Sequence, residues 1–219
     1  MTEFINELPA FYESIWQTLV IVFGSLIVAG ILGLLIGIVL YATRPGNLLE
    51  NRVVFAVANV IVNIVRPVPF IIFVAAIAPL TTKVMGTYIG VQGAVFAISL
   101  AAAFAVGRIV EQNLVGVDPG VIEAARAMGA GPARIILTVL IPEGLGPLIL
   151  GYTFIYVGLV DMSAQAGAIG GGGLGNFALT YGVQRFNYPA TYITVALIIV
   201  LVQLGQVLGN YLSRKAMHR

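Results

Sequence analysis

No charged side chain occurs between Glu13 and Arg44. A charge-free stretch of that length has few homes in water. A run of about 18 or more apolar residues reads as a membrane span. Stretches of this kind recur roughly at Ile15–Tyr41, Val53–Leu80, Tyr88–Arg108, Leu145–Gln165 and Thr191–Leu212. Each is long enough for the ~20 residues, at ~1.5 Å per residue, that a spanning helix needs. Composition agrees. Charged residues make up 9% of the 219, against about 25% in soluble domains. The mean hydropathy is +1.02. These observations exclude a soluble enzyme and a disordered chain. They predict an all-α polytopic membrane protein with five transmembrane helices.

Several chemistries drop out at once. There is no cysteine, and the single histidine is His218. Thiolate metal sites, disulfides, a histidine zinc site and a serine–histidine triad therefore cannot be built within this chain. The net charge of +2 comes from scattered basic residues, which gives no nucleic-acid footprint. The start carries Glu3, Glu7 and Glu13 instead of a basic region, so it does not read as a cleaved signal. Phe4, Leu8, Phe11 and Tyr12 share one helical face. Either an interfacial helix or a frayed terminus fits residues 1–14.

Basic residues set the expected orientation. With the N-terminus outside, the inner segments hold Arg44, Arg52, Arg108, Arg126, Arg134, Arg214, Lys215 and Arg219, and the outer ones only Lys83 and Arg185. The positive-inside bias then puts the tail, 213–219, in the cytoplasm. No internal duplication is visible in the spanning region 15–212. Five helices leave little room for a private path, so a homodimer with its path at the subunit interface is expected.

The inner loop 118–142 carries the most information. Asp118 is a good N-cap, Pro119 suits the first helical position, and Gly129 can close the helix in the left-handed conformation. Gly131 and Pro132 start a second short helix, and Pro142 marks the return to the membrane. Ala124, Ala125 and Ala127 keep the first helix slim. Glu123 and Arg126, three apart, can pair with each other or with a partner. A surface-resting amphipathic helix fits the spacing as well as a docking knob does.

Glu123-Ala124-Ala125, then Gly129, then Val139-Leu140-Ile141-Pro142 resembles the EAA loop of ABC importer permeases. Val139 stands where isoleucine is commoner. Thr43–Gly46, Asn63–Phe73 and Ser163–Gly182 look like the methionine branch of that family. The resemblance implies that Glu123, Ala124, Ala125, Arg126 and Gly129 couple the chain to an ATP-hydrolysing subunit present in two copies. It implies a second copy of the chain, an extracytoplasmic methionine-binding protein and a place among the lipids of the inner membrane. Methionine transport by alternating access follows from it, with glycine betaine or a polar amino acid as alternative cargo. A self-contained channel or carrier would leave the loop without a purpose.

No phosphate-cradling G-x-x-x-x-G-K-[ST] loop exists here, so ATP and Mg²⁺ are expected on the partner. Gly170, Gly172 and Gly175 match G-x-G-x-x-G, but they follow a span instead of a strand and are expected to shape an outer loop and let helices pack closely. Charges inside spans are costly, about 2.5–3.5 kcal/mol at a helix centre. Arg66 precedes Pro67-Val68-Pro69, where two prolines break the helix and free carbonyls that the guanidinium could satisfy, substrate contact being the alternative. Arg108 and Glu111 are expected to pair. Asp161, Met162 and Ser163 are the candidate path or gate. At Asp161 the family usually has a small neutral residue. The carboxylate attracts a substrate ammonium, lines a wet vestibule or binds a backbone group at the helix end, and Met162 gates, lines an apolar side-chain path or packs. Gly33/Gly37 and Gly205/Gly209 are expected to permit close helix contact, within or between chains.

Overall fold

The computed structural model describes residues 7–217. Among these residues every regular element is helical. The first helix, α1, runs Leu8–Thr43 without a break. The described part of the expected interfacial segment is thus the first turn of the spanning helix, and Phe4 lies outside the described residues. Asn51 caps α2 (Arg52–Val65), its side chain accepting from the Val53 and Val54 N–H groups at 3.1 Å. Then follows α3 (Phe70–Met85), closed by Gly86 at φ +79°.

Within the expected second span, α2 and α3 meet at 113° across residues 66–69. The prolines break the helix as expected, but the Arg66 side chain is exposed and its guanidinium makes no hydrogen bond among the described residues. The Val65 carbonyl that Pro69 frees accepts instead from the Val68 N–H at 3.1 Å, and Arg66 N–H keeps the last ordinary helical bond, to Val62, also at 3.1 Å.

The core is a close pair, α1 against α4 (Gly90–Val115). A side chain added at Gly33 would overlap Val106, and one at Gly37 would overlap Val110 and come within 2.7 Å of the Gly107 carbonyl. Gly107 in turn accommodates Ile36. This close approach explains Gly33 and Gly37 as packing within one chain.

After α4 come α5 (Pro119–Ala127), α6 (Pro132–Ile135), a π-helical segment at Ile136–Leu140 and α7 (Ile141–Glu143). The long α8 (Leu145–Ala168) follows, then the short α9 (Gly173–Phe177), a second π-helical segment at Ala178–Val183, and α10 (Tyr188–Met217). Gly205 and Gly209 seat α10 on Tyr156 and Thr153 of α8, again within the chain. By length and composition α1, α4, α8 and α10 can each cross a membrane, and the bent pair α2/α3 supplies a fifth passage if it counts as one.

Candidate functional site

The loop between α4 and α8 folds as its residues dictate. Asp118 accepts from the Gly120 N–H at 2.8 Å, and Pro119 opens α5. Gly129 ends it at φ +81°, and the Ala130 N–H closes back on the Ala125 carbonyl at 3.1 Å. The helix has two faces. Ile122 and Ala125, 7% and 3% exposed, pack into the core with Ile135, Ile136 and Leu140. Glu123, Ala124, Arg126, Ala127 and Met128 face outward. Of the expected coupling residues, Ala125 therefore anchors the helix to the bundle, and the others are available to a partner. No ion pair joins Glu123 to Arg126 among the described residues, which leaves both charges uncommitted.

Beside this helix the chain turns sharply after α1. Asn47 donates to the Tyr41 carbonyl at 2.8 Å, and the Gly46 N–H donates to Glu50 at 3.1 Å. That N–H, together with Arg52, holds the Glu50 carboxyl below its ordinary value of 4.5. A cavity of about 250 Å³ separates the turn from α5, bordered by Arg44, Asn47, Ile122 and Arg126.

A polar cluster, buried at Glu111 and open at Asn63, fastens the bent pair to the core. Arg108 on α4 pairs with Glu111, as expected, and its second nitrogen reaches Asn59 at 2.6 Å and Asn63 at 2.8 Å on α2. The arginine and glutamate side chains are 14% and 5% exposed. The sequence reading missed the two asparagines. Their spacing of four within an apolar run was the available signal, since it puts both on one helical face.

The three expected path residues do not converge. Asp161 is exposed and accepts from the Gln165 side-chain amide at 2.8 Å. Met162 is half-buried against the core. Ser163 points inward, 1% exposed, with no hydrogen-bond partner for its hydroxyl among the described residues. Asp161 continues a stripe along α8 through Pro147, Leu150, Phe154 and Gly158, all exposed. A carboxylate facing hydrocarbon is costly, so this stripe faces water or protein.

The glycine-rich segment has a structural task. Gly173 and Leu174 N–H groups, at the start of α9, donate to Gln17 and Thr18 of α1 at 2.8 Å each. Gly172 and Gly173 adopt φ +81° and +77°, and any side chain at Gly175 would overlap Ala164. Such a packed cap has no room for a nucleotide.

The described residues thus form an all-helical bundle that anchors one face of a loop helix and leaves the other open. Residues 32–218 match the family described as binding-protein-dependent transport system inner membrane component, and the chain belongs to it. The chain is 41% identical over 204 residues to a probable D-methionine transport system permease protein of Vibrio cholerae, covering 93% of this chain and 91% of that one. It is 39% identical over 174 residues to a methionine import system permease protein of Bacillus subtilis, covering 80% and 78%. A solved inward-facing structure of the MetNI methionine ABC transporter superposes with a TM-score of 0.94 at 36% identity, covering 96% of this chain and 98% of that one.

Proposed function

We propose that the chain is the permease subunit of an ATP-driven importer for methionine. The observation that carries this reading is likeness along nearly the whole length, at 36–41% identity, to methionine-transport permeases and to a chain of the methionine transporter structure. No observation favours glycine betaine or another polar amino acid as the cargo. Two copies form the path, with the N-termini outside and the C-termini in the cytoplasm of an inner-membrane assembly. A separate ATPase subunit, in two copies, holds ATP and Mg²⁺, and an extracytoplasmic binding protein delivers methionine.

In this reading the outward face of α5 seats on the ATPase through Glu123, Ala124, Arg126 and the Gly129 turn. Ala125 transmits the push into the core. When the ATPases close, two rigid helices move together and bias the bundle between inward and outward openings. Gly129 matters because only its left-handed turn joins α5 to α6 without strain. Asp161 and Gln165 line the path on the wet face of α8, where the carboxylate attracts the cargo's ammonium group; Met162 flanks them. Ser163, buried in this conformation, packs the bundle.

Uptake into proteoliposomes tests the assignment. Labelled methionine should accumulate only with the copurified ATPase, internal ATP and the binding protein. Uptake without any ATPase subunit would identify a self-contained carrier instead. Asp161→Asn should weaken methionine uptake; an unchanged affinity and rate would remove Asp161 from the path.

A further inference from the structure

An open groove of about 700 Å³ runs along the bundle where α1, α8 and α10 meet. Leucines dominate its walls, among them Leu26, Leu148, Leu204 and Leu208. Its hydroxyl groups are already used. Tyr152 donates to the Gly30 carbonyl at 2.7 Å, Tyr156 to the Leu201 carbonyl at 2.9 Å, and Thr153 to the Ile149 carbonyl at 2.8 Å. The groove therefore offers carbon and no free hydroxyl donor. A polar solute would be stripped of water without compensation there, whereas hydrocarbon would not.

Helical phase places the groove on the lipid side. Tyr152 lies nine residues before Asp161 on α8, half a turn out of register at about 3.6 residues per turn. The Asp161 stripe needs water or protein, so the opposite face, which carries the groove, meets the bilayer. One end is charged. Leu204, Leu208 and Leu212 on α10 lead at helical spacing to Lys215, which is exposed and has no acidic partner among the described residues. The adjacent Arg214 lies about 100° round the helix, so Lys215 is the cation in phase with the groove, and it complements an anionic headgroup.

We propose that this groove binds one anionic phospholipid per chain, an acyl chain lying between α1, α8 and α10 and the phosphate resting on Lys215. The site goes beyond the transport reading and does not depend on which solute is carried. Native mass spectrometry of the full-length protein, with whatever subunits copurify, tests it. Phosphatidylglycerol and phosphatidylcholine are the probes.

The expected result is one phosphatidylglycerol retained per chain, preferred about fivefold over phosphatidylcholine, as about 1 kcal/mol per basic residue implies. Lys215→Gln, a surface change that leaves folding intact, should abolish the preference and leave phosphatidylcholine retention unchanged. Leu208→Trp should lower retention of both lipids. A preference that survives Lys215→Gln, or equal retention of both lipids by the wild type, would overturn the headgroup assignment. The chain has no native cysteine, so Leu208→Cys introduces a single thiol. A disulfide between two chains at that position would show that a second copy covers the groove, and would overturn the lipid site.

Discussion

The pair α1/α4 and the bent pair α2/α3 are equally apolar in sequence and differ completely in how they are held. In α1 buried residues run from Phe11 to Ala42, and glycines bring its backbone against α4. In α2 only Val62 is buried, and in α3 only Phe70 and Thr81. The first pair is a scaffold that one chain completes. The second is an apolar surface that lipid or a second copy must cover, and a polar cluster pins it to the scaffold. Hydrophobicity thus tells where a segment lives, while small residues and buried polar groups tell what it packs against.

Enlarging both scaffold glycines should break this contrast most severely. Gly33→Leu with Gly37→Leu overpacks two sites at up to about 3 kcal/mol each, a large part of a typical 5–15 kcal/mol total stability. No monodisperse protein should survive size-exclusion chromatography. The same enlargement at exposed Ala56 on α2 should leave the yield unchanged.

Arg108→Leu comes next. It leaves Glu111 buried without its partner and should cost about 3–5 kcal/mol in thermal unfolding. Asn59→Ala with Asn63→Ala keeps the ion pair and removes only the tie to α2. About 2 kcal/mol is expected, from lost hydrogen bonds to a charged group. If the double asparagine variant proved as costly as Arg108→Leu, the tie would outweigh the ion pair.

Gly129→Val forces a branched side chain into a left-handed turn, at about 1–2 kcal/mol. Its stability loss should be modest while transport-coupled ATP hydrolysis falls sharply. Wild-type coupling in this variant would remove the loop from the drive. The smallest effect lies at the turn joining the two regions. Because the folded Glu50 carboxyl sits below its ordinary value, its contribution is full above that value and fades as pH falls through the folded one. Melting midpoints of wild type and Glu50→Gln should differ slightly at neutral pH and merge in acid.

The fold was legible wherever the determinants are local. Asp118, Pro119 and Gly129 mark the ends of α5 by their own chemistry, and the apolar runs mark α1, α4, α8 and α10. What escaped was tertiary. The bend between α2 and α3 was signalled by Pro67 and Pro69, but not its angle, because that depends on what the two halves rest upon. Asn59 and Asn63 gain meaning only once α4 brings Arg108 to them. Ala125 reads as a coupling residue and Ser163 as a path residue, and both are buried, because residue type alone does not reveal which face of a helix is covered. The caps from Gln17 and Thr18 were invisible for the same reason.

Those caps also order events during synthesis. The groups they receive, Gly173 and Leu174, lie 156 residues downstream. At roughly 5–20 residues per second, α1 waits about ten to thirty seconds for the segment that completes it. The first helix to enter the bilayer thus gives its Gln17 and Thr18 acceptors their partners only after most of the chain has been made. The glycine-rich stretch acts as a late clasp, fastened after three other passages have been threaded.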